Sequence, residues 1–260
     1  MKISVVIPTY NRADFIVKAI KSVLNQTHKV DEIIVIDDGS TDNTKQLLKS
    51  FDTKYIYQQN SGVSSARNLG IKLASYSWIC FLDSDDIWEE TKIQKQVEFH
   101  KNNPNILFSH TLEKWIFKNK IIKQNKSQQK PSGYCFENNI SLCKIGASTV
   151  MIHKTILEDI GLFDENLKAC EDYDLWLRIL LKYPVGLIKE ELITKIAGHK
   201  GQLSFETIGI DYYRILALLK HTNTIYKDTI LEEIARKKAI LYKGAKKHNN
   251  QFFLEFLETI

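Results

Sequence analysis

Little in this chain interrupts regular structure. Four prolines and eleven glycines among 260 residues leave no room for a long linker or a low-complexity tract, and no internal repeat is visible. Cysteine is sparse as well. Cys80, Cys135, Cys143 and Cys170 stand apart, without the paired spacing of a zinc site or the density of a disulfide framework, so reduced intracellular thiols are expected. No apolar run approaches the roughly 20 residues of a membrane span. The opening stretch Met1-Lys2-Ile3-Ser4-Val5-Val6-Ile7-Pro8 is too short for a signal peptide and reads as a first strand. A cytoplasmic protein, at most peripheral to a membrane, is the expectation. No G-x-G-x-x-G follows that strand, which excludes the dinucleotide-dehydrogenase pattern. The net charge of +5 comes without a groove-reading motif, so nucleic acid is not an expected partner.

What is present is an α/β pattern. Ile3 to Ile7 is a short β-branched run suited to a buried parallel strand. Phe15, Ile16, Ala19, Ile20, Val23 and Leu24 then recur at helical spacing, predicting an amphipathic helix over residues 13–26. Strands are expected at 32–36, 55–58 and 78–82, with helices after Thr41 or Asp42 and over 64–74. Strands separated by helices imply a mainly parallel sheet, whose ligands bind beyond the carboxyl ends of its strands. The second half is less regular. A hairpin turning at Lys118-Asn119-Lys120 within 112–123, a strand over 148–152 and a helix over 154–160 ending at Gly161 are expected. A helix over 171–181 and two short strands before Gly198 follow, and residues 208–260 read as helical. Basic residues gather there, as in Arg236-Lys237-Lys238 and from Lys243 to Lys247. They are either a solvated helix face or a patch that meets an anionic membrane or a phosphate-bearing acceptor.

Three loops fall at predicted strand ends: Pro8 to Arg12, Asp37 to Ser40 and Asp83 to Asp86. Carboxylates crowded as in Asp83-Ser84-Asp85-Asp86 repel unless a cation or hydrogen bonds neutralise them. They suit magnesium or manganese bridging protein to substrate phosphates, or they cap the next helix and form a tight turn.

Four segments together resemble the family-2 glycosyltransferases in order and spacing. They are Val5-Val6-Ile7-Pro8-Thr9-Tyr10-Asn11-Arg12, Ile36-Asp37-Asp38-Gly39-Ser40-Thr41-Asp42, Gly62-Val63-Ser64-Ser65-Ala66-Arg67-Asn68 and Phe81-Leu82-Asp83-Ser84-Asp85-Asp86. Downstream, Glu171-Asp172-Tyr173-Asp174-Leu175-Trp176 is similar to that family's catalytic acidic segment, so the likeness spans roughly residues 3–204. The resemblance implies a GT-A-type α/β fold, a mainly parallel nucleotide-binding sheet flanked by helices. Residues 1–205 would form it, with 1–105 the nucleotide-sugar half and 106–205 the acceptor half, and 206–260 a helical extension packed on it. It further implies an inverting transfer of sugar from a nucleotide-diphosphate donor, expected to be a UDP-sugar, to a hydroxyl of a glycan or lipid-linked acceptor in surface polysaccharide or glycoconjugate synthesis.

The resemblance also assigns roles. Pro8, Tyr10, Arg12 and Asp38 belong with the nucleotide, Tyr10 offering a ring to the base and Asp38 accepting from a base N–H or ribose hydroxyl. Tyr10 as a core aromatic and Asp37 as a turn residue are the plainer alternatives. Asn60 and Gly62 shape the adjoining loop, and Gly39 permits a close turn. Arg67 either meets the diphosphate or holds the acidic loops in an ion pair. Asp85 is the implied direct ligand of Mn2+ or Mg2+, Asp83 and Ser84 support it, and His199, in Gly198-His199-Lys200-Gly201-Gln202-Leu203-Ser204, would complete the site unless it is structural. Asp172 is the implied general base with Glu171 orienting it, although both also suit the first turn of a helix. Trp176 is either core or an acceptor platform. A non-catalytic binding module on the same fold is the alternative function, and a sugar-phosphate nucleotidyltransferase is disfavoured because its glycine-rich first loop is missing.

Overall fold

The structure, a computed structural model, describes residues 1–118, 120–122, 128–199, 201–202 and 206–260. Its first strands are the β-branched runs. Strand β1 (Ile3–Thr9) is buried along its whole length, and β2 (Glu32–Asp37) pairs with it in parallel, Ile7 opposite Val35. Strands β3 (Lys54–Tyr57) and β4 (Trp78–Phe81) extend the parallel half on either side. Alternation then sorts side chains to two faces. Val5 and Ile7 join Ile16, Ile20 and Val23 of helix α1 (Ala13–Leu24), while Val6, Ile34 and Ile36 join Ala66 and Ile71 of α3 (Val63–Leu73). Gly70 lets α3 lie close, since a Cβ there would stand 2.2 Å from Val6 Cγ1. Between them, α2 (Thr44–Leu48) follows β2.

The second half turns the sheet over. Strand β5 (Asp86–Trp88) leaves the acidic loop, followed by α4 (Lys92–Asn102) and β6 (Phe108–Phe117), which folds back on β7 (Lys120–Ile122). This is the expected hairpin, although Asn119 and Lys123 lie outside the described residues. After α5 (Phe136–Ile140), residues 148–152 are not one strand. Ala147–Thr149 is a 3-10 turn, and β8 (Met151–His153) begins only beyond Val150. Helix α6 (Lys154–Ile160) ends at Gly161, whose φ of 91° is a left-handed conformation that favours glycine. Helix α7 (Glu171–Leu180) leads to β9 (Gly186–Ala197), a single twelve-residue strand where two short ones were expected. Register shifts against β6 at Thr111, Leu112 and Glu113 break its alternation, which is what made it read as two pieces. The sheet order is β3-β2-β1-β4-β8-β6-β9-β5, with β8 antiparallel to β4 and β5 antiparallel to β9.

Helices α8 (Ile210–Leu219), α9 (Lys227–His248) and α10 (Gln251–Thr259) close the chain. Ile215, Leu218, Ile230, Leu241 and Phe253 share one apolar cluster with Leu175, Trp176 and Ile179 of α7. Fully buried Lys237 ties α9 to the end of α5, donating to Ser141 O at 2.9 Å. Among the described residues no helix is long and apolar enough to cross a membrane.

Candidate active site

Three loops meet at the carboxyl ends of β1, β2 and β4, where α/β sheets bind ligands. The first two are laced together. Asn11 N donates to Ser40 Oγ at 2.9 Å, and Thr41 N returns to Asn11 Oδ1 at 2.8 Å. Asp37 is a turn builder: Oδ1 accepts from Ser40 N at 2.8 Å, and Oδ2 accepts from Tyr55 OH at 2.7 Å. Burial and that carboxylate push the Tyr55 hydroxyl above its ordinary value. Asp38 Oδ1 accepts from Gln58 Nε2 at 2.6 Å and Ser61 N at 2.8 Å, while Oδ2 accepts from Gly62 N alone at 2.9 Å. Asn60 Nδ2 donates to Asp38 O at 3.0 Å, and a Cβ on Gly39 would strike Asn60 N at 2.9 Å. Against this packed floor Tyr10 is 46% exposed, so it is not a core aromatic. Pro8 lies buried within β1 beneath it.

The acidic loop is held by a bridge across the cleft. Arg67, only 4% exposed, donates from Nη2 to Asp83 Oδ1 at 2.7 Å and from Nη1 to Glu171 Oε1 at 2.6 Å. Burial alone would raise the Asp83 pKa, but Arg67 and Lys195 hold it below its ordinary value. Glu171 goes the other way, because burial outweighs Arg67 and Asp172 adds repulsion. Of the two readings of Arg67, the ion pair is the one this geometry makes. The bridge brings the first turn of α7, and so Asp172, to the acidic loop. Asp172 is half-buried, its Oδ1 accepts only from Tyr173 N at 2.7 Å, and it has no salt-bridge partner among the described residues. Trp176 is core: 1% exposed, it donates to Ile145 O at 2.9 Å and stacks on Phe108.

Asp85 points elsewhere. His199 Nε2 lies 2.9 Å from Asp85 Oδ2, with the imidazole stacked on Phe15 at 4.5 Å between centroids. Arg12 Nε stands 3.9 Å from the same oxygen, and its Nη2 donates to Gly201 O, fastening the first loop to the one after β9. Lys200, Leu203 and Ser204 of that loop lie outside the described residues. Ser84 is buried between the two acids. Among the described residues no three His, Cys, Asp or Glu side chains form a ready metal cage. The donor chemistry nonetheless fits a divalent cation that takes one carboxylate and an imidazole and draws its remaining ligands from substrate phosphates and water.

Three neighbours of Asp86, namely Ser148, Lys195 and Glu113, escaped the sequence reading. Asp86 Oδ2 accepts from Ser148 Oγ at 2.6 Å, and that hydroxyl accepts from Asp83 N at 3.0 Å. Lys195 stands opposite Asp86 in the β5–β9 register, Nζ 3.4 Å from Oδ2. Burial, opposed by Lys195 and reinforced by Asp83 and Asp85, pushes Asp86 up to about 7. Glu113 Oε1 takes Lys130 Nζ at 2.7 Å beside them. Only the adjacency of Asp86 to Asp85 was visible in the sequence; the rest depends on strand pairing.

Residues 4–160 match the model of a family described as glycosyl transferase family 2. A UDP-Glc:alpha-D-GlcNAc-diphosphoundecaprenol beta-1,3-glucosyltransferase of Escherichia coli, WfaP, is 32% identical over 247 residues, covering 84% of this chain and 95% of that protein. An uncharacterized glycosyltransferase of Rickettsia conorii is 45% identical over 196 residues, 74% of this chain. The chain spans only 32% of the length of that relative. Among solved structures, S. aureus TarS residues 1–349 in complex with UDP-GlcNAc superposes with a TM-score of 0.74 at 21% identity, covering 91% of this chain and 72% of that one. At that identity the likeness speaks for the fold.

Proposed function

Because the chain belongs to glycosyl transferase family 2, we propose that it transfers a sugar, with inversion, from a UDP-sugar to a hydroxyl of a lipid-linked glycan acceptor. The observation that carries this reading is the Arg67 bridge. It sets an uncommitted carboxylate, Asp172, beside the acidic loop that follows β4. The E. coli relative names a UDP-glucose donor and a diphosphoundecaprenol-linked acceptor.

In this mechanism Tyr10 covers the base, and Asp38 offers its less occupied oxygen to the base or ribose. Asp85 and His199, with Asp83 in support, would hold Mn2+ or Mg2+, which would supply Lewis-acid stabilisation of charge on the departing diphosphate. Asp172 removes the acceptor hydroxyl proton as that oxygen attacks the anomeric carbon. The new C–O bond forms opposite the breaking bond to the diphosphate, UDP leaves, and the configuration inverts. Glu171, fixed by Arg67, orients the turn that carries Asp172. The outer face of α9, with exposed Lys243, Lys246 and Lys247 near exposed Ile240 and Tyr242, would rest on an anionic membrane on the cytoplasmic side. Salt-sensitive flotation with anionic vesicles tests that contact, and its absence removes it.

The reading as a whole is tested by a screen of UDP-, GDP- and dTDP-sugars with manganese, following hydrolysis and thermal stabilisation. Stabilisation without turnover, on any glycan acceptor, would favour the non-catalytic binding module instead. A response to none of the donors would overturn the proposal.

A further inference from the structure

A departing nucleoside diphosphate needs positive charge from the protein, and among the described residues the site offers three fixed cations, Arg12, Arg67 and Lys195. Two of them are already engaged. Arg67 spends both terminal nitrogens on Asp83 and Glu171, at 2.7 and 2.6 Å. Arg12 is fastened to Gly201 O and leans on Asn11 O. Lys195 is different. Among the described residues its nearest acid, Asp86 Oδ2, is 3.4 Å away, beyond a good charge-assisted hydrogen bond, and the Trp115 ring centre lies 5.5 Å away. That oxygen already takes a 2.6 Å hydrogen bond from Ser148. The neighbouring Glu113 is likewise served, by Lys130 at 2.7 Å and Trp115 Nε1 at 3.1 Å.

Space is kept around this ammonium. A Cβ on Gly146 would come within 3.3 Å of both Lys195 Cε and Nζ. The side chain is 19% exposed, so it is not wholly closed off from solvent. It lies in the field of Asp86, Glu113, Asp83 and Asp85, which keeps it charged despite burial. These acids surround the ammonium and fix its position without saturating its three donors.

We infer that Lys195 binds the sugar-bearing phosphate of the donor, supplying the cationic contact that Arg67, locked between Asp83 and Glu171, does not. The inference rests on the proposed transferase reading and refines it. Asp83 and Asp85 of the acidic loop act on Lys195, so a diphosphate that reaches this loop comes within range of its ammonium.

The experiment compares UDP with UMP by calorimetry, with manganese and again with EDTA, in the wild-type chain, Lys195→Met and Lys195→Arg. Lys195→Met should lose roughly tenfold in UDP affinity while UMP stays within about twofold, and Lys195→Arg should recover most of the loss. The difference should persist in EDTA. Equal weakening of UDP and UMP would make Lys195 merely the partner of Asp86, and no change in either would equally overturn the inference. If Lys195→Met does not fold, Lys195→Gln, which keeps a donor for Asp86, carries the same comparison. A wild-type chain that binds neither nucleotide fails the transferase reading itself, an outcome distinct from a wild type that binds both and a variant with an unchanged ratio.

Discussion

The acids after β2 and the acids around the cleft are held by different kinds of partner. Asp37 and Asp38 take hydrogen bonds from the main-chain Ser40 N, Ser61 N and Gly62 N and from the neutral side chains of Tyr55 and Gln58, and so they build the loops that carry them. Asp83, Asp85 and Glu171 are met instead by the basic side chains Arg67, His199 and Arg12 of other elements. Asp172 is met by neither, its one bond being to the next residue's N–H. A carboxylate held by neutral donors of its own loops is construction, whereas one left open is available to a substrate.

The largest effect that would sharpen this contrast comes from the open acid. Asp172→Asn should cut transfer on the order of 10²–10⁴-fold with donor affinity kept, as single-turnover assays and nucleotide titration would show. Unchanged turnover would place Asp172 among the builders. Next, Arg67→Met leaves buried Glu171 without its counter-ion, and breaking such a pair costs about 3–5 kcal/mol. The thermal midpoint should fall by roughly 10 °C. A stable variant would mean the bridge holds nothing. Asp38→Asn presents an amide N–H to one of the donors it now accepts from, at a cost of about 1–3 kcal/mol. Nucleotide affinity should drop with stability if Asp38 chiefly builds the loop, and without it if Asp38 chiefly contacts the ligand.

The smallest expected effect is on acid tolerance. Burial holds His100, His110 and His221 down at about 4, against an ordinary 6.5. Between those values the unfolded chain binds more protons than the folded one, so these groups lend stability above pH 6.5 that is lost as pH falls toward 4. Asp86, raised to about 7 by burial, works in the opposite sense, because its native form holds a proton that the unfolded chain releases. Three groups against one should leave a net loss, seen as a falling urea midpoint between pH 7 and pH 5. A flat profile would show the contributions cancel.

The parallel half of the fold was legible because strands buried on both faces need unbroken β-branched runs, as in Ile33-Ile34-Val35-Ile36. Helix α6 was legible from Gly161 at its end. Helix α4 was not, since its inward face carries Lys92, Gln96 and His100 alongside Ile93 and Val97. Lys92 is fully buried there, its ammonium 3.9 Å from the centre of the Trp88 ring, and burial brings its pKa down to about 8. Such a helix has no apolar stripe to read. Strand β5 is three residues long and opens on an acid, so it passed for loop. In the site, residues inside contiguous motifs could be named in advance. Lys195, Ser148 and Glu113 could not, because their positions follow from long-range pairing among β5, β6, β9 and the turn before β8.

The Arg67 bridge also orders events in time. Arg67 and Asp83 are 16 residues apart, but Glu171 follows Arg67 by 104. During synthesis Arg67 and Asp83 therefore emerge close together, and the guanidinium has one acid within reach well before the other. Only when α7 is complete does the second acid arrive, bringing Asp172 with it. A chain ending before α7 would bear the acidic loop without Glu171 and Asp172, and one ending before β9 would still lack Lys195 and His199.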